Sequence, residues 1–101
     1  MSEPRTPIPH DTLASLCRGW HVRRLSLFGS VLRDDFAPDS DVDVLVEFEP
    51  GQAPGLLALS ALRRELERLF GGRSVDLVTP GFLHRGIRER ILTDSVVQYA
   101  A

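Results

Sequence analysis

The sequence predicts a single α/β domain in which helices pack on a small mixed sheet, in the order α-β-α-β-α-β-α. Two observations predict this class: short segments rich in valine and leucine with strand periodicity, and intervening segments with apolar residues at helical spacing. A chain of 101 residues can bury one hydrophobic core. We therefore expect one domain over residues 10–101, preceded by an irregular leader over residues 1–9 that contains three prolines.

The first half of the chain alternates helical and extended segments. Asp11 or Thr12 is expected to cap the first helix, and Gly29-Ser30 ends the first strand. The segment that follows, residues 31–35, is predicted to form a single helical turn. The predicted elements are a helix over 11–19, a strand over 22–28, a helical turn over 31–35 and a strand over 41–48. The last of these has one wholly apolar face, which predicts a position inside the sheet.

The second half of the chain repeats this alternation. Its first helix carries leucines at helical spacing on one side, with Arg63, Arg64 and Arg68 outside and paired with Glu67. Gly71-Gly72 ends that helix. The predicted elements are a helix over 56–70, a strand over 74–78, a helix over 82–92 and a short terminal strand over 96–99.

Composition excludes several classes of protein. The formal net charge is −2 and all 12 cationic residues are arginines, so a broad polycationic surface is absent and we expect no direct nucleic-acid partner. Cys17 is the only cysteine, which excludes an intramolecular disulfide and Cys-rich zinc sites. No segment approaches the ~20 apolar residues of a membrane span, and the N-terminus does not resemble a secretory signal. We expect a cytoplasmic protein with no membrane partner.

Acidic residues mark the predicted central strand. Asp41 and Asp43 are two residues apart, so both carboxylates project from one face about 6.5–7 Å apart at Cα. Asp76 lies between two apolar residues of the next predicted strand. Carboxylates facing one another on a sheet repel, and an oxygen-only ligand set favours Mg²⁺ or Mn²⁺. The alternative is an ordinary acidic strand edge with Asp76 paired to an arginine.

A candidate phosphate site lies where the first strand ends. Gly29 permits close approach of a phosphate to backbone N–H groups, and the Ser30 hydroxyl can donate to it. Arg33, one helical turn later, can add a charged contact. The plainer interpretation is that Ser30 caps a helix and Arg33 is a surface residue.

The two elements together form the pattern G-S-x10-D-x-D, from Gly29-Ser30 to Asp41 and Asp43. This pattern resembles the nucleotidyltransferase superfamily of DNA polymerase β type, and in particular its minimal members encoded beside a HEPN-domain partner. Residues 73–79 are similar to the family's third-carboxylate strand, and residues 83–97 to its final helix and tail. The resemblance covers about residues 22–98, and it implies a nucleotidyltransferase fold.

The resemblance also implies a reaction and its residues. A nucleoside monophosphate would pass from an NTP, expected to be ATP, to a hydroxyl, releasing pyrophosphate. Asp41, Asp43 and Asp76 would be catalytic and hold two Mg²⁺ ions, with Mn²⁺ as a substitute. Asp76 would also accept the proton of the attacking hydroxyl. Gly29 and Ser30, with Arg33 as a weaker candidate, would bind the nucleotide's phosphates.

The resemblance implies a partner as well. Small members of the family act as antitoxins that adenylylate a tyrosine of a HEPN ribonuclease toxin, or simply bind it, so we expect a hetero-oligomer. One alternative is a non-catalytic interaction module that masks the toxin. Another is transfer to a small-molecule hydroxyl, although such enzymes usually carry a further acceptor domain. The presence of all three aspartates and the Gly-Ser pair favours catalysis.

Three further residues receive structural interpretations. Cys17 is expected to be a small core residue of the first helix. Trp20 is expected to close that helix against the sheet, with base stacking as the alternative. Glu47 shares a face with Asp43 but lies about 13 Å along the strand, too far to ligate the same metal.

Overall fold

The computed structural model describes residues 9–29, 41–80 and 85–101. The predicted helical turn over 31–35 and most of the leader lie outside these residues. No helix in the described ranges is long and apolar enough to cross a membrane. The elements are α1 His10–Gly19, β1 Val22–Phe28, β2 Val42–Phe48, α2 Leu56–Leu69, β3 Val75–Val78, α3 Arg85–Asp94 and β4 Val96–Ala100.

The four strands form one mixed sheet in the order β3-β2-β1-β4. β1 is antiparallel to both β2 and β4, whereas β2 and β3 are parallel. A parallel pair needs a crossover connection, and α2 supplies it between β2 and β3. The predicted α/β fold with a mixed sheet is confirmed, and so is the interior position of β2.

The hydrophobic core lies between the sheet and the helices α1 and α2. α1 contributes Leu13 and Cys17, and α2 contributes Leu62 and Leu66, all nearly inaccessible to solvent. The apolar face of β2 packs against them, as its alternation predicted. The other buried members of this core are Val22, Leu25, Leu27, Val42, Val44, Val46, Phe70 and Val75.

The start of α1 differs from the prediction. The helix begins at His10 with Pro9 as its N-cap residue, and no side chain caps it. The carbonyl oxygen of Pro9 accepts the N–H of Leu13 at 2.9 Å, so the helix begins one residue before the predicted range of 11–19. Capping by Asp11 or Thr12 was therefore wrong. Asp11 lies in the first turn, where its negative charge interacts favourably with the positive end of the helix dipole.

Two glutamates of α2 turn towards the rest of the fold. Glu65 Oε2 accepts the indole N–H of Trp20 at 2.6 Å, which joins α1 to α2. Glu67 Oε2 accepts the backbone N–H of Val75 at 3.0 Å, at the first residue of β3. Trp20 packs against the core as predicted. Glu67 was expected to pair with the outer arginines of α2. Its carboxylate instead accepts the backbone N–H at the start of β3.

Candidate active site

The register of β2 and β3 places two carboxylates side by side. Asp43 is the Cα partner of Asp76 in the parallel pairing, one residue after the Val42–Val75 pair. Neighbouring strands lie about 4.8 Å apart, and the side chains of registered partners project from the same face. The sequence predicted each aspartate on its own strand, and the crossover through α2 makes them neighbours.

Gly29 brings the main chain against one of these carboxylates. It follows the last residue of β1, whose Phe28 is the antiparallel partner of Asp43. The backbone at Gly29 has a φ of 77°, in the left-handed region that favours glycine. A Cβ at this position would overlap Asp43 Oδ2 and would approach Asp43 Cγ to 3.2 Å. Glycine is therefore required here both by conformation and by space.

Asp41 completes the acidic group at the beginning of β2. It is exposed and directly precedes Val42, whose N–H bonds the carbonyl oxygen of Ser74 at 2.8 Å. This bond anchors the start of β2 to the chain entering β3. Asp76 is exposed and Asp43 half-buried. All three aspartates thus lie towards the same end of the β2–β3 pair, accessible to a ligand from solvent.

The remaining predicted site residues, Ser30 and Arg33, lie outside the described residues. Within the described ranges, no three His, Cys, Asp or Glu side chains are close enough together to form a ready metal site. Carboxylates without a cation between them repel, by about 4 kcal/mol at 4 Å for an effective dielectric of 20. The donor set is nevertheless composed of oxygens alone, which is the set that Mg²⁺ prefers. The pairing of Asp43 with Asp76 sets two such donors side by side, so the chemistry of these residues fits such an ion.

Glu47, on the same strand, is engaged elsewhere. Its carboxylate receives two hydrogen bonds from Arg24, Nε to Oε2 at 2.6 Å and Nη2 to Oε1 at 3.1 Å. The hydrogen bonds and the negative charge of Glu47 stabilise the protonated guanidinium and so raise the pKa of Arg24. Glu47 also borders a cavity of about 470 Å³ at the opposite end of β2 from the aspartates. That cavity is therefore separate from the acidic group.

Sequence reasoning missed the packing of Gly29 against Asp43. It assigned Gly29 to phosphate approach alone, because glycine after a strand signals a turn but not the identity of the group it faces. The antiparallel register that sets Phe28 opposite Asp43 is the missing information. No local pattern in the chain carries that register.

A four-stranded mixed sheet with paired aspartates and a glycine turn defines a class of phosphate-transferring enzymes. The nucleotidyltransferase domain family model matches residues 11–98 of the chain. The chain belongs to this family and is a nucleotidyltransferase. The resemblance identified from Gly29, Ser30, Asp41 and Asp43 is thereby confirmed at the level of the family.

Individual relatives agree with this assignment. Protein adenylyltransferase MntA of Thermococcus cleftensis is 44% identical over 75 residues, which cover 74% of this chain and 73% of the relative. A solved structure of a minimal nucleotidyltransferase is 37% identical, covers 86% of each chain and superposes with a TM-score of 0.71.

Two solved complexes share the fold at lower identity. A crystal structure of a toxin–antitoxin with AMP-PNP has a TM-score of 0.74 at 19% identity, covering 93% of this chain and 75% of that one. A structure of a tri-AMPylated Shewanella oneidensis HEPN toxin in complex with MNT antitoxin has a TM-score of 0.65 at 19% identity, covering 91% and 70%.

Proposed function

We propose that this chain is a Mg²⁺-dependent protein adenylyltransferase that transfers AMP from ATP to a tyrosine hydroxyl of a HEPN-domain toxin and so acts as its antitoxin. The observation that carries the proposal is the pairing of Asp43 with Asp76, with Gly29 packed against Asp43. The relative at 44% identity, named a protein adenylyltransferase, supports the protein acceptor. The toxin–antitoxin complexes that share the fold support the partner class.

The nucleotide's phosphates bind at the end of β1. Gly29, at a φ of 77°, presents no side chain to a ligand. Ser30 contributes a hydroxyl donor, and Arg33 contributes a guanidinium that neutralises phosphate charge. The complex with AMP-PNP, which has the same fold, supports a triphosphate ligand.

The aspartates carry the chemistry. Asp41, Asp43 and Asp76 would hold Mg²⁺, which when bound would neutralise the triphosphate and increase the acidity of the acceptor hydroxyl. The acceptor oxygen forms a bond to the α-phosphorus, the bond from the α-phosphorus to the bridging oxygen breaks, and pyrophosphate leaves. A carboxylate oxygen of Asp76 takes the hydroxyl proton. Positioning and charge stabilisation supply most of the rate enhancement.

The setting of this reaction follows from the same proposal. The chain acts in the cytoplasm, where ATP and an intracellular toxin are both present, and residues 10–101 work as one domain. The partner protein contributes the acceptor surface in a hetero-oligomer. No direct contact with nucleic acid is needed for the transfer.

The test is intact-mass spectrometry of a HEPN-domain protein co-expressed with this chain, after incubation with the chain, Mg²⁺ and ATP. We expect the partner to gain one or more AMP masses, and peptide mapping to place them on tyrosine. EDTA should abolish the gain and Mn²⁺ should restore it. The Asp41→Asn/Asp43→Asn variant should give none, whereas Asp11→Asn, an exposed carboxylate of α1, should match the unmodified chain.

The outcome separates the proposed activity from its alternatives. A partner that binds but never gains mass, with toxicity still neutralised by Asp41→Asn/Asp43→Asn, would replace catalysis by masking. AMP found only on an added small-molecule alcohol would replace the protein acceptor.

A further inference from the structure

Two large apolar side chains are exposed at the start of α2. Leu56 is 74% and Leu57 90% accessible to solvent. Single exposed leucines are ordinary on a protein surface. These two are adjacent in the chain, and Leu56 borders a groove of about 290 Å³ between α2 and the edge strand β3.

The floor of this groove is largely apolar. Leu56, Leu59 and Leu77 line it together with Ser60, Arg63 and Thr79. Leu59 and Thr79 also line the 470 Å³ cavity at the end of β2, so the two hollows adjoin. An apolar side chain from another molecule can be buried here between Leu56 and the edge of the sheet.

Uncompensated positive charge runs along the same helix. Arg63, Arg64 and Arg68 are exposed, and their guanidinium groups have no hydrogen bond or ion pair within the part of the chain that the structure describes. The arginines lack these partners because the two glutamates of α2 form hydrogen bonds with other parts of the fold. Glu65 is held by the Trp20 indole and Glu67 by the Val75 N–H. Neither is directed to pair with the outer arginines.

The beginning of α2 adds to this positive field. Gly55 is the N-cap residue, no side chain caps the helix, and its first turn contains no acidic residue. The partial positive charge at the helix N-terminus and the charges of the arginines therefore both attract anionic groups. The complementary ligand is acidic. Exposed leucines beside a groove favour a protein over a nucleic acid, because phosphates and sugars leave leucine side chains without an apolar partner.

We propose that this surface, formed by Leu56, Leu57, Arg63, Arg64 and Arg68 with the adjoining groove, docks an acidic segment of the partner protein that carries an apolar anchor residue. The identity of that partner rests on the proposed function. The groove is lined by Leu77 and Thr79 of the β3 region, whereas Asp41 and Asp43 lie at the beginning of β2. Asp76 directly precedes Leu77 in β3, and consecutive strand residues project to opposite faces of the sheet. Docking therefore leaves the aspartates open to ATP and to the acceptor hydroxyl.

The test is isothermal titration calorimetry, without ATP, with the same HEPN-domain protein that is used in the AMP-transfer test. Two variants remove the charge and the anchor contact separately: Arg63→Glu/Arg64→Glu/Arg68→Glu and Leu56→Ser/Leu57→Ser. All five side chains are exposed, so circular dichroism should show an unchanged fold. Each variant should raise Kd at least ~10-fold. The arginine variant should also flatten the dependence of Kd on salt.

Arg18→Glu is the control for charge reversal and is compared with the single variant Arg64→Glu, because each changes one exposed helical arginine to glutamate. Arg18 is an exposed helical arginine on α1, where its only side-chain contact in the described residues is a 3.4 Å bond to Ser15. It should bind the partner as the unmodified chain does. Equal weakening by Arg18→Glu would reduce the effect to overall charge and overturn the proposed surface. So would variants that bind within about two-fold of the unmodified chain, or an unmodified chain that does not bind the HEPN-domain protein.

Two further arms separate the remaining explanations. Fluorescence anisotropy with a labelled 20-nucleotide RNA should show no arginine-dependent binding. An arginine variant that loses RNA binding but keeps its affinity for the protein would assign the surface to nucleic acid. Asp41→Asn/Asp43→Asn should keep full affinity for the partner. If the docking variants weaken binding and the unmodified chain transfers no AMP, the docking surface is supported and the proposed catalysis is not.

Discussion

The carboxylate of Asp43 lies directly against the main chain of Gly29, so that a Cβ on the glycine would meet Asp43 Cγ at 3.2 Å and overlap Oδ2. Gly29 also has a φ of 77°, which a side chain rarely adopts. This contact joins the end of β1, where phosphates are proposed to bind, to the carboxylate beside Asp76 in β3. Substitution of either residue should therefore disturb both parts of the site.

Gly29→Ala should reduce AMP transfer by at least about 100-fold, because displacing a carboxylate by roughly 1 Å is enough to lose that much rate. It should also lower the free energy of unfolding by about 1–2 kcal/mol, since the left-handed conformation is strained for alanine. Gly51→Ala is the control: its φ is 75°, but no atom lies within 4 Å of an added Cβ. Gly51→Ala should lose stability and keep activity. Equal activity losses would show that backbone strain alone is responsible.

Asp76→Asn should slow AMP transfer by about 10²–10⁴-fold, the usual contribution of a proton acceptor. ATP binding in the presence of Mg²⁺, measured by calorimetry, should change much less because Asp41 and Asp43 remain. Asp94→Asn, an exposed aspartate at the end of α3, is the control and should be fully active. Unchanged transfer by Asp76→Asn would remove Asp76 from the catalytic group.

Glu47→Gln should keep AMP transfer near the level of the unmodified chain. Its carboxylate is held by Arg24 at 2.6 Å and is part of an ion pair, with side chains 45% and 20% exposed for Arg24 and Glu47. Exposed ion pairs contribute about 0–1 kcal/mol to stability, and we expect a loss in that range that shrinks further in high salt. Urea unfolding at low and high ionic strength measures it. Activity as low as that of Asp43→Asn would instead place Glu47 in the site.

Trp20→Phe should destabilise the fold by about 1–3 kcal/mol, because it leaves the part-buried Glu65 carboxylate without its 2.6 Å indole donor. Chemical unfolding gives the value. Glu65→Gln keeps an oxygen acceptor for the indole and should cost less than half as much. If the glutamine variant is as unstable as Trp20→Phe, the charge on Glu65 stabilises the fold through something other than this hydrogen bond.

Cys17 should be inert in the folded protein. Burial raises the pKa of its thiol from 9.0 to about 12, against a smaller lowering by Arg18. The thiolate is the reactive form, so a thiol reagent at pH 8 should label Cys17 only when urea unfolds the chain. Rapid labelling without urea would contradict the buried thiol.

The same shift makes stability depend on pH. Between about pH 9 and pH 12 the unfolded chain loses the Cys17 proton while the folded chain keeps it. The unfolded state therefore binds fewer protons, and stability falls as pH rises through this range. Urea unfolding at pH 8 and pH 10 should show a smaller decrease for Cys17→Ala than for the unmodified chain.

Local periodicity predicted most of the fold because each element depends on its own residues. The strand over 22–28 is Val22–Phe28 in the structure, and the strand expected over 41–48 is Val42–Phe48. The helix predicted over 56–70 ends one residue earlier, at Leu69, with Phe70 as its C-cap residue. The start of α2 at Leu56 was also predicted, whereas α1 begins at His10 because the Pro9 carbonyl accepts the first helical hydrogen bond.

The sequence by itself determined the chemical groups and their order: a Gly-Ser pair, two aspartates on one strand and a third on the next. Tertiary structure alone decided that Asp43 is registered with Asp76, that Gly29 packs on Asp43, and which groups the α2 glutamates bind. Strand register and helix docking depend on contacts between residues far apart in the chain. Periodicity reports only which face of its own element a residue occupies, so it carries no information about the partner across the interface.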